Sequence, residues 1–165
     1  MQVSEFILNR PDQIVSRLSR GERVLGVDLG TKTIGLAISD PALQIASPIK
    51  MITRSKLKID VKEIKNIICE HAIGALIVGL PLNMNGTKSA RSQATKDWTE
   101  ALLKLVDISV CFWDERLSTA AVEREMLKAD LSRQRRAKKI DSAAAAYILQ
   151  GALDFIQRQT AKENM

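Results

Sequence analysis

The spacing of apolar positions changes along this chain, and each change marks an element. Val24–Leu29 is a compact apolar run interrupted only by Gly26 and Asp28. Gly30, Thr31 and Lys32 supply turn chemistry, and Ile34, Leu36 and Ile38 then alternate with smaller residues up to Ser39-Asp40-Pro41. Two such runs about a glycine-containing turn predict a β-hairpin. Ile49, Met51 and Ile52, after Ser47-Pro48, predict a third strand. The period then lengthens: Leu57, Val61, Ile64, Ile67 and Ile68 share one face of an amphipathic helix that ends near His71. Ala75–Leu80, bounded by Gly74 and Pro81, reads as a strand covered on both faces. Ala90, Ala94, Trp98, Ala101, Leu102 and Leu105 mark a second helix, and Ile108–Trp113 is strand-like again. Ser118 or Thr119 is placed to cap a helix running to about Ala129. A last helix, Asp141 to about Gln157, presents Ala144, Ala145, Ile148, Ala152 and Phe155 on one face.

Three strands in a meander followed by alternating helices and strands predict an α/β fold: a mixed sheet with helices packed on it. Residues 1–22 stand apart as an extension, in which Val3, Phe6, Ile7, Ile14, Val15 and Leu18 suggest helical turns around Pro11. Residues 23–165 read as one domain, which a chain of 165 residues accommodates.

Composition adds limits. A hydrophobic fraction of 45% supports a core without metals or disulfides as staples. Cys69 and Cys111 each lie in an apolar periodic segment, so buried reduced thiols and a reducing compartment are expected. No run is long and apolar enough to span a bilayer, and Glu5, Arg10 and Asp12 interrupt any secretory signal. A cytoplasmic protein with no membrane partner is the expectation.

The net charge of +6 is unevenly spread. Lys128, Arg133, Arg135, Arg136, Lys138 and Lys139 face a single acid, Asp130, so this stretch carries +5. Phosphate backbones are attracted to such a cluster, because each neutralised phosphate releases counterions. A solvated charged loop is the plain alternative. Aromatic residues make up only 4% of the chain, which argues against a base-stacking platform.

With His71 as the one histidine, no Cys/His zinc site can be assembled, and a Ser-His-Asp triad would have to use it. Neither Walker A nor G-x-G-x-x-G occurs. Carboxylate chemistry remains. Asp28 sits in an otherwise apolar strand, where a carboxylate is costly unless a cation or donors compensate it. The bland reading is a turn-capping aspartate. Glu115 follows the Ile108–Trp113 strand, where α/β folds place ligands, and its bland reading is an ion pair with Arg116. Asp114 shares that ambiguity. Asp141 opens the predicted last helix and could be a simple N-cap. As a set, the three acids offer oxygen ligands from separate elements, which suits one or two Mg²⁺ ions. Two such ions about 3.5–4 Å apart activate water and stabilise the leaving oxygen of a phosphodiester.

These residues lie in recognisable motifs. Gly26-Val27-Asp28-Leu29-Gly30-Thr31-Lys32-Thr33-Ile34-Gly35 and its continuation to Asp40 closely resemble the opening motif of the YqgF/RuvX family. Val78-Gly79-Leu80-Pro81-Leu82-Asn83 with Gly86, Asp114-Glu115-Arg116-Leu117-Ser118-Thr119, and Asp141-Ser142-Ala143 through Gln150 resemble its three further motifs. The resemblance covers roughly residues 23–155. It implies an RNase H-like fold with a mixed five-stranded sheet, the first three strands antiparallel and helices on both faces. It also implies a metal-dependent nuclease that processes the 5′ end of pre-16S rRNA or resolves branched DNA, with ribosomal particles as possible partners. The catalytic and metal-binding positions it implies are Asp28, Glu115 and Asp141, with Mg²⁺ as cofactor and Mn²⁺ as substitute. One departure is Asn85, where the family commonly has Asp before Gly; Asn keeps the turn chemistry and removes a charge.

Candidate phosphate contacts are Lys32, Arg91, Arg116, Arg133, Arg135, Arg136, Lys138 and Lys139. Arg91 falls near a predicted helix N-terminus, which favours anions, although capping and solvation explain it equally. The basic run resembles a mobile loop of the family. Two other classes stay open. One is a ribosome- or RNA-binding factor without turnover. The other is suggested by Asp28-Leu29-Gly30-Thr31, which is similar to the phosphate hairpin of sugar kinases and actin-like ATPases; those need a second such domain, for which this chain has no room.

Overall fold

The computed structural model describes residues 2–83, 85–117 and 133–165, with side chains in the last stretch from Ala143 onward. The predicted helix from Ser118 or Thr119 to about Ala129 lies outside the described residues. The strands are β1 (Ile7–Leu8), β2 (Arg23–Leu29), β3 (Thr33–Ser39), β4 (Ala46–Thr53), β5 (Ile73–Leu80) and β6 (Ser109–Asp114). The helices are α1 (Leu57–Glu70), α2 (Ala90–Leu103) and α3 (Arg133–Glu163).

One sheet orders these strands β1-β6-β5-β2-β3-β4. β2, β3 and β4 form the antiparallel meander, and β5 and β6 add in parallel on the other side of β2. The expected five strands are therefore present. The sixth is the short β1, supplied by the N-terminal extension and parallel to β6 through Ile7–Val110 and Leu8–Cys111. A two-residue strand between turns leaves no periodic signal to read.

Alternation along the inner strands splits the core into two layers. Leu25, Val27, Leu76, Val78 and Val110 pack with α1 and α2. Val24, Ala37, Ala75, Ile77, Cys111 and Trp113 pack with α3 on the opposite face. Ile14 is fully buried in this second layer, so the extension is part of the core rather than an appendage. Two short 3-10 helices, Val3–Phe6 and Pro11–Arg17, carry it there.

Glycine sets how closely α3 approaches. A Cβ on Gly26 would come 2.7 Å from Leu149 Cβ and 3.0 Å from the Ala145 carbonyl oxygen. Gly in a strand marks such close backbone approach. Farther along α3, the Gln150 amide donates to the Gln44 carbonyl at 2.8 Å and accepts from the Ala46 N–H at 2.9 Å, and Gln157 donates to the Leu43 carbonyl at 3.0 Å. The helix thus runs from above β2 toward the β3–β4 turn. Its N-terminal part lies at the opposite end, where β2 finishes.

Four expectations need correction. α3 begins at Arg133, so Asp141 is interior to the helix and does not cap it. The basic run Arg133–Lys139 is helical rather than a loop, because Gln, Arg, Ala and Lys are good helix formers and no Gly or Pro stops them. On α2 the buried face is Ser92, Thr95, Trp98, Thr99, Leu102 and Leu103, whereas Ala90 and Ala94 are exposed. The Thr95 and Thr99 hydroxyls donate to the carbonyls one turn back, at 2.9 and 2.8 Å, which removes the cost of burying them. Cys69 is exposed; Cys111 alone is buried, and both thiols are free. Burial pushes the Cys111 thiol up to about 12, so it remains an inert core residue.

Candidate active site

The acids of interest gather where β2, β5 and β6 end. Asp28 is the penultimate residue of β2, opposite Gly35 of β3. Gly26 faces α3, and a period of two puts Asp28 on that same face. It is only partly buried, since the sheet ends there. Val27 pairs with Val78 of β5, so the next β5 position beside Asp28 is Gly79.

Glu115 reaches the same place from β6. Gly79 pairs with Trp113 and Leu80 with Asp114, after which Glu115 opens a single 3-10 turn to Leu117. Its Oε1 lies 2.8 Å from where a Cβ on Gly79 would stand, and Ile148 Cδ1 lies 2.5 Å from that point. The absent side chain of Gly79 is the space into which the Glu115 carboxylate extends. Asp28 and Glu115 are thereby brought to one face, around one glycine. Asp141 lies one helical turn before Ala145, whose carbonyl sits over Gly26. That is roughly 6 Å along the axis, toward the Asp28 end of the sheet.

The surrounding loops are held by specific bonds. In the turn after Asp28, the Gly30 N–H donates to the Thr33 carbonyl at 2.8 Å. Arg54, at the end of β4, donates from Nη1 to the Gly30 carbonyl at 2.7 Å and from its backbone N–H to the Lys32 carbonyl at 2.8 Å. Lys32 itself is exposed on this turn. Between β5 and α2, the Ser89 hydroxyl donates to the Pro81 carbonyl at 2.7 Å and accepts from the Ser92 N–H at 3.0 Å, capping α2. Arg91 is exposed in the first turn of α2. Within the loop, Asn85 Oδ1 accepts from the Thr87 N–H and hydroxyl at 3.1 and 2.7 Å, so Asn85 does the turn-closing work expected of it.

Asp114 and Arg116 pair with each other at 2.6 Å. The hydrogen bonds from Arg116 outweigh partial burial and hold the Asp114 carboxyl below the usual range. Side chains of Arg133, Arg135, Arg136, Lys138 and Lys139 lie outside the described residues; their backbone occupies the first two turns of α3, just before Asp141.

Sequence reasoning missed Arg54, which gives no signal because its role is a contact across 24 residues. The ion pair with Arg116 weighed for both Glu115 and Asp114 is made by Asp114.

Asp28 and Glu115 are two partly exposed carboxylates beside a glycine that leaves room between strand and helix, and among the described residues no group of three acids, histidines or cysteines is placed to hold a metal ion. Comparison with known proteins identifies the family. The RuvX family model, described as Holliday junction resolvase, matches residues 22–155. A Brucella ovis protein is 49% identical over 143 residues, covering 87% of this chain and 88% of that one. A Rhodobacter capsulatus protein is 47% identical over 143 residues, covering 87% and 90%. Both are named as candidate pre-16S rRNA nucleases. Among solved structures, Thermus thermophilus RuvC in complex with a Holliday junction substrate superposes with a TM-score of 0.54 at 15% identity, covering 82% of this chain and 96% of that one. The yeast mitochondrial Holliday junction resolvase Ydc2 gives a TM-score of 0.53 at 12% identity, covering 92% and 85%. At such identities the likeness concerns the fold alone.

Proposed function

The chain belongs to the RuvX family, and from that premise we propose that it is a metal-dependent endonuclease hydrolysing phosphodiester bonds in structured nucleic acid. The substrate we assign is the 5′ end of pre-16S rRNA, following the names of relatives that share nearly half its residues over most of their length. The observation that carries the chemistry is the meeting of Asp28 and Glu115 around Gly79.

In this reading Asp28, Glu115 and Asp141 hold the metal, Mg²⁺ in the cell with Mn²⁺ as substitute. A metal held by these carboxylates would supply activation of water and compensation of charge on the leaving oxygen. The chain's own contribution is position. β2 fixes Asp28 in a sheet whose next turn is tied by Arg54, and the glycine under α3 keeps open the space that Glu115 enters. Lys32, Arg91 and the basic residues of the first turns of α3 (Arg133, Arg135, Arg136, Lys138, Lys139) contact phosphates flanking the scissile bond. Each such contact adds to the salt dependence of binding and reads no base. No described helix is long and apolar enough to cross a membrane, which is consistent with work on cytoplasmic ribosomal precursors.

The test compares Mg²⁺-dependent cleavage of a pre-16S rRNA fragment with cleavage of a four-way DNA junction. Products from the RNA, lost in Asp28→Asn while RNA binding persists, support the assignment. Cleavage of the junction alone transfers the protein to branched DNA. Binding without metal-dependent products from either substrate makes it a non-catalytic RNA-binding factor.

A further inference from the structure

Glu115 is bracketed by a closed unit. The Asp114 Oδ1 accepts the Arg116 backbone N–H at 3.0 Å, a turn that spans Glu115. The same carboxylate is gripped by the Arg116 guanidinium: Nε lies 2.9 Å from Oδ1 and 3.1 Å from Oδ2, and Nη2 lies 2.6 Å from Oδ2. Backbone and side chain of Arg116 therefore close on one acceptor, and the residue between them has little freedom left.

The other side of the guanidinium lies against the β5–α2 loop. A Cβ on Gly86 would come 3.1 Å from Nη1 and 3.4 Å from Nη2. Gly86 also has φ +84°, a left-handed backbone conformation that favours glycine. The loop it belongs to is tied to itself: the Gly86 N–H donates to the Asn83 carbonyl at 2.8 Å, and the Asn83 N–H to the Thr87 carbonyl at 3.1 Å. Gly86, held by the Asn83 carbonyl, thus sits beside a guanidinium that is itself locked to the turn carrying Glu115.

We infer that Arg116 is a positioning residue, not a phosphate contact: with Asp114 it fixes the turn that presents Glu115 and holds Gly86 of the β5–α2 connection against that turn, so that the acid and Gly86 keep one geometry. The inference rests on the reading of Glu115 as a site carboxylate. It replaces the sequence expectation that Arg116 binds nucleic acid. Its charge already has a carboxylate partner, and the planar fork that makes this grip is something a lysine ammonium cannot reproduce.

Three measurements on the full chain test it, using Arg116→Lys, Arg116→Gln and Asp114→Asn, each checked by circular dichroism. The first is amide exchange at Gly86, Thr87 and Arg116. The second is binding of the pre-16S fragment as a function of salt, and the third is Mn²⁺ titration by calorimetry. Arg116→Lys, which keeps the charge and loses the planar fork, is expected to accelerate exchange at Gly86 and Thr87 at least tenfold and to weaken Mn²⁺ binding several-fold. Asp114→Asn keeps the Oδ1 acceptor, so it should retain protection of the Arg116 amide while accelerating exchange at Gly86 and Thr87. Arg116→Gln, which removes the charge, is expected to leave the salt slope of binding unchanged; a slope that drops by about one in Arg116→Gln, the signature of a lost phosphate contact, overturns the inference. So does loop exchange that stays at the unsubstituted rate. Absence of Mn²⁺ binding in the unsubstituted chain would instead count against the metal site, while the exchange data still decide the brace.

Discussion

The two ends of the first β-hairpin each carry an aspartate, and the structure uses them in opposite ways. Asp40 follows β3 and spends its carboxylate on the chain itself, accepting the Gln44 and Ile45 N–H groups at 2.7 and 2.9 Å. Partial burial works against its charged form, yet the backbone donors win and hold its carboxyl below the ordinary value. Asp28 stands inside β2, where the following turn is closed by Gly30, Thr33 and Arg54. Its neighbour in the register of β5 is Gly79, whose missing side chain leaves the space that Glu115 enters. The turn after Asp28 closes without its carboxylate, whereas the turn after Asp40 is built on one. That difference, rather than burial alone, is what the proposed role of Asp28 turns on.

The largest effect should come from exchanging the charge at each end. Asp28→Asn is expected to cut cleavage by at least about a hundredfold, in the range for losing one group that stabilises transition-state charge. Asp40→Asn should leave the turnover rate within about twofold of the unsubstituted protein. A large catalytic defect in Asp40→Asn would erase the contrast.

Next comes the packing that separates the ends. Leu149 is fully buried against Gly26, and Leu149→Ala should cost about 2–5 kcal/mol in urea denaturation. Gly79→Ala brings a methyl within 2.5 Å of Ile148 Cδ1 and 2.8 Å of Glu115 Oε1. It should lower stability by about 1–3 kcal/mol, as overpacking does, and lower activity beyond what stability explains. A Gly79→Ala protein with unsubstituted kcat would mean that Glu115 does not need that space.

A smaller effect is expected from the turn clamp. Arg54→Ala removes the bond to the Gly30 carbonyl and should cost about 1 kcal/mol, read as a shift in the urea midpoint. The smallest is a pH effect at the far end. Because the Gln44 and Ile45 N–H donors hold the folded Asp40 carboxyl below the ordinary aspartate range, its stabilisation is present above that range and is lost as the pH falls through the folded value. Asp40→Asn should therefore flatten the acid limb of the stability curve below about pH 4. An unchanged limb would assign that loss to other carboxylates.

Much of this was legible in the chain. The meander, α1, and the parallel strands β5 and β6 follow from periods of two and 3.6, because each element buries one face or both. Asp28 stood out because an acid in an apolar strand demands a reason. The N-terminal part of α3 was not legible: Asp141-Ser142 has the chemistry of a helix cap, but Arg133–Ile140 are already helical and hold no residue that stops a helix. The buried face of α2 was hidden because threonines count as polar until their hydroxyls find the preceding turn. β1 and the burial of Ile14 depend on contacts with β6 and α3, distant in sequence, and no local pattern announces them.

Gly26 and Gly79, described above as places where α3 comes close, also act as a gauge. The room between helix and sheet is set by two missing carbon atoms, and neither glycine has a rotamer that could fill it. At Gly26 the limit on the helix side includes backbone, the Ala145 carbonyl oxygen at 3.0 Å from the missing Cβ, whereas at Gly79 it is the side chains of Ile148 and Glu115. Enlarging either glycine would fill that room by a fixed step, which makes the spacing adjustable in increments of a methyl group.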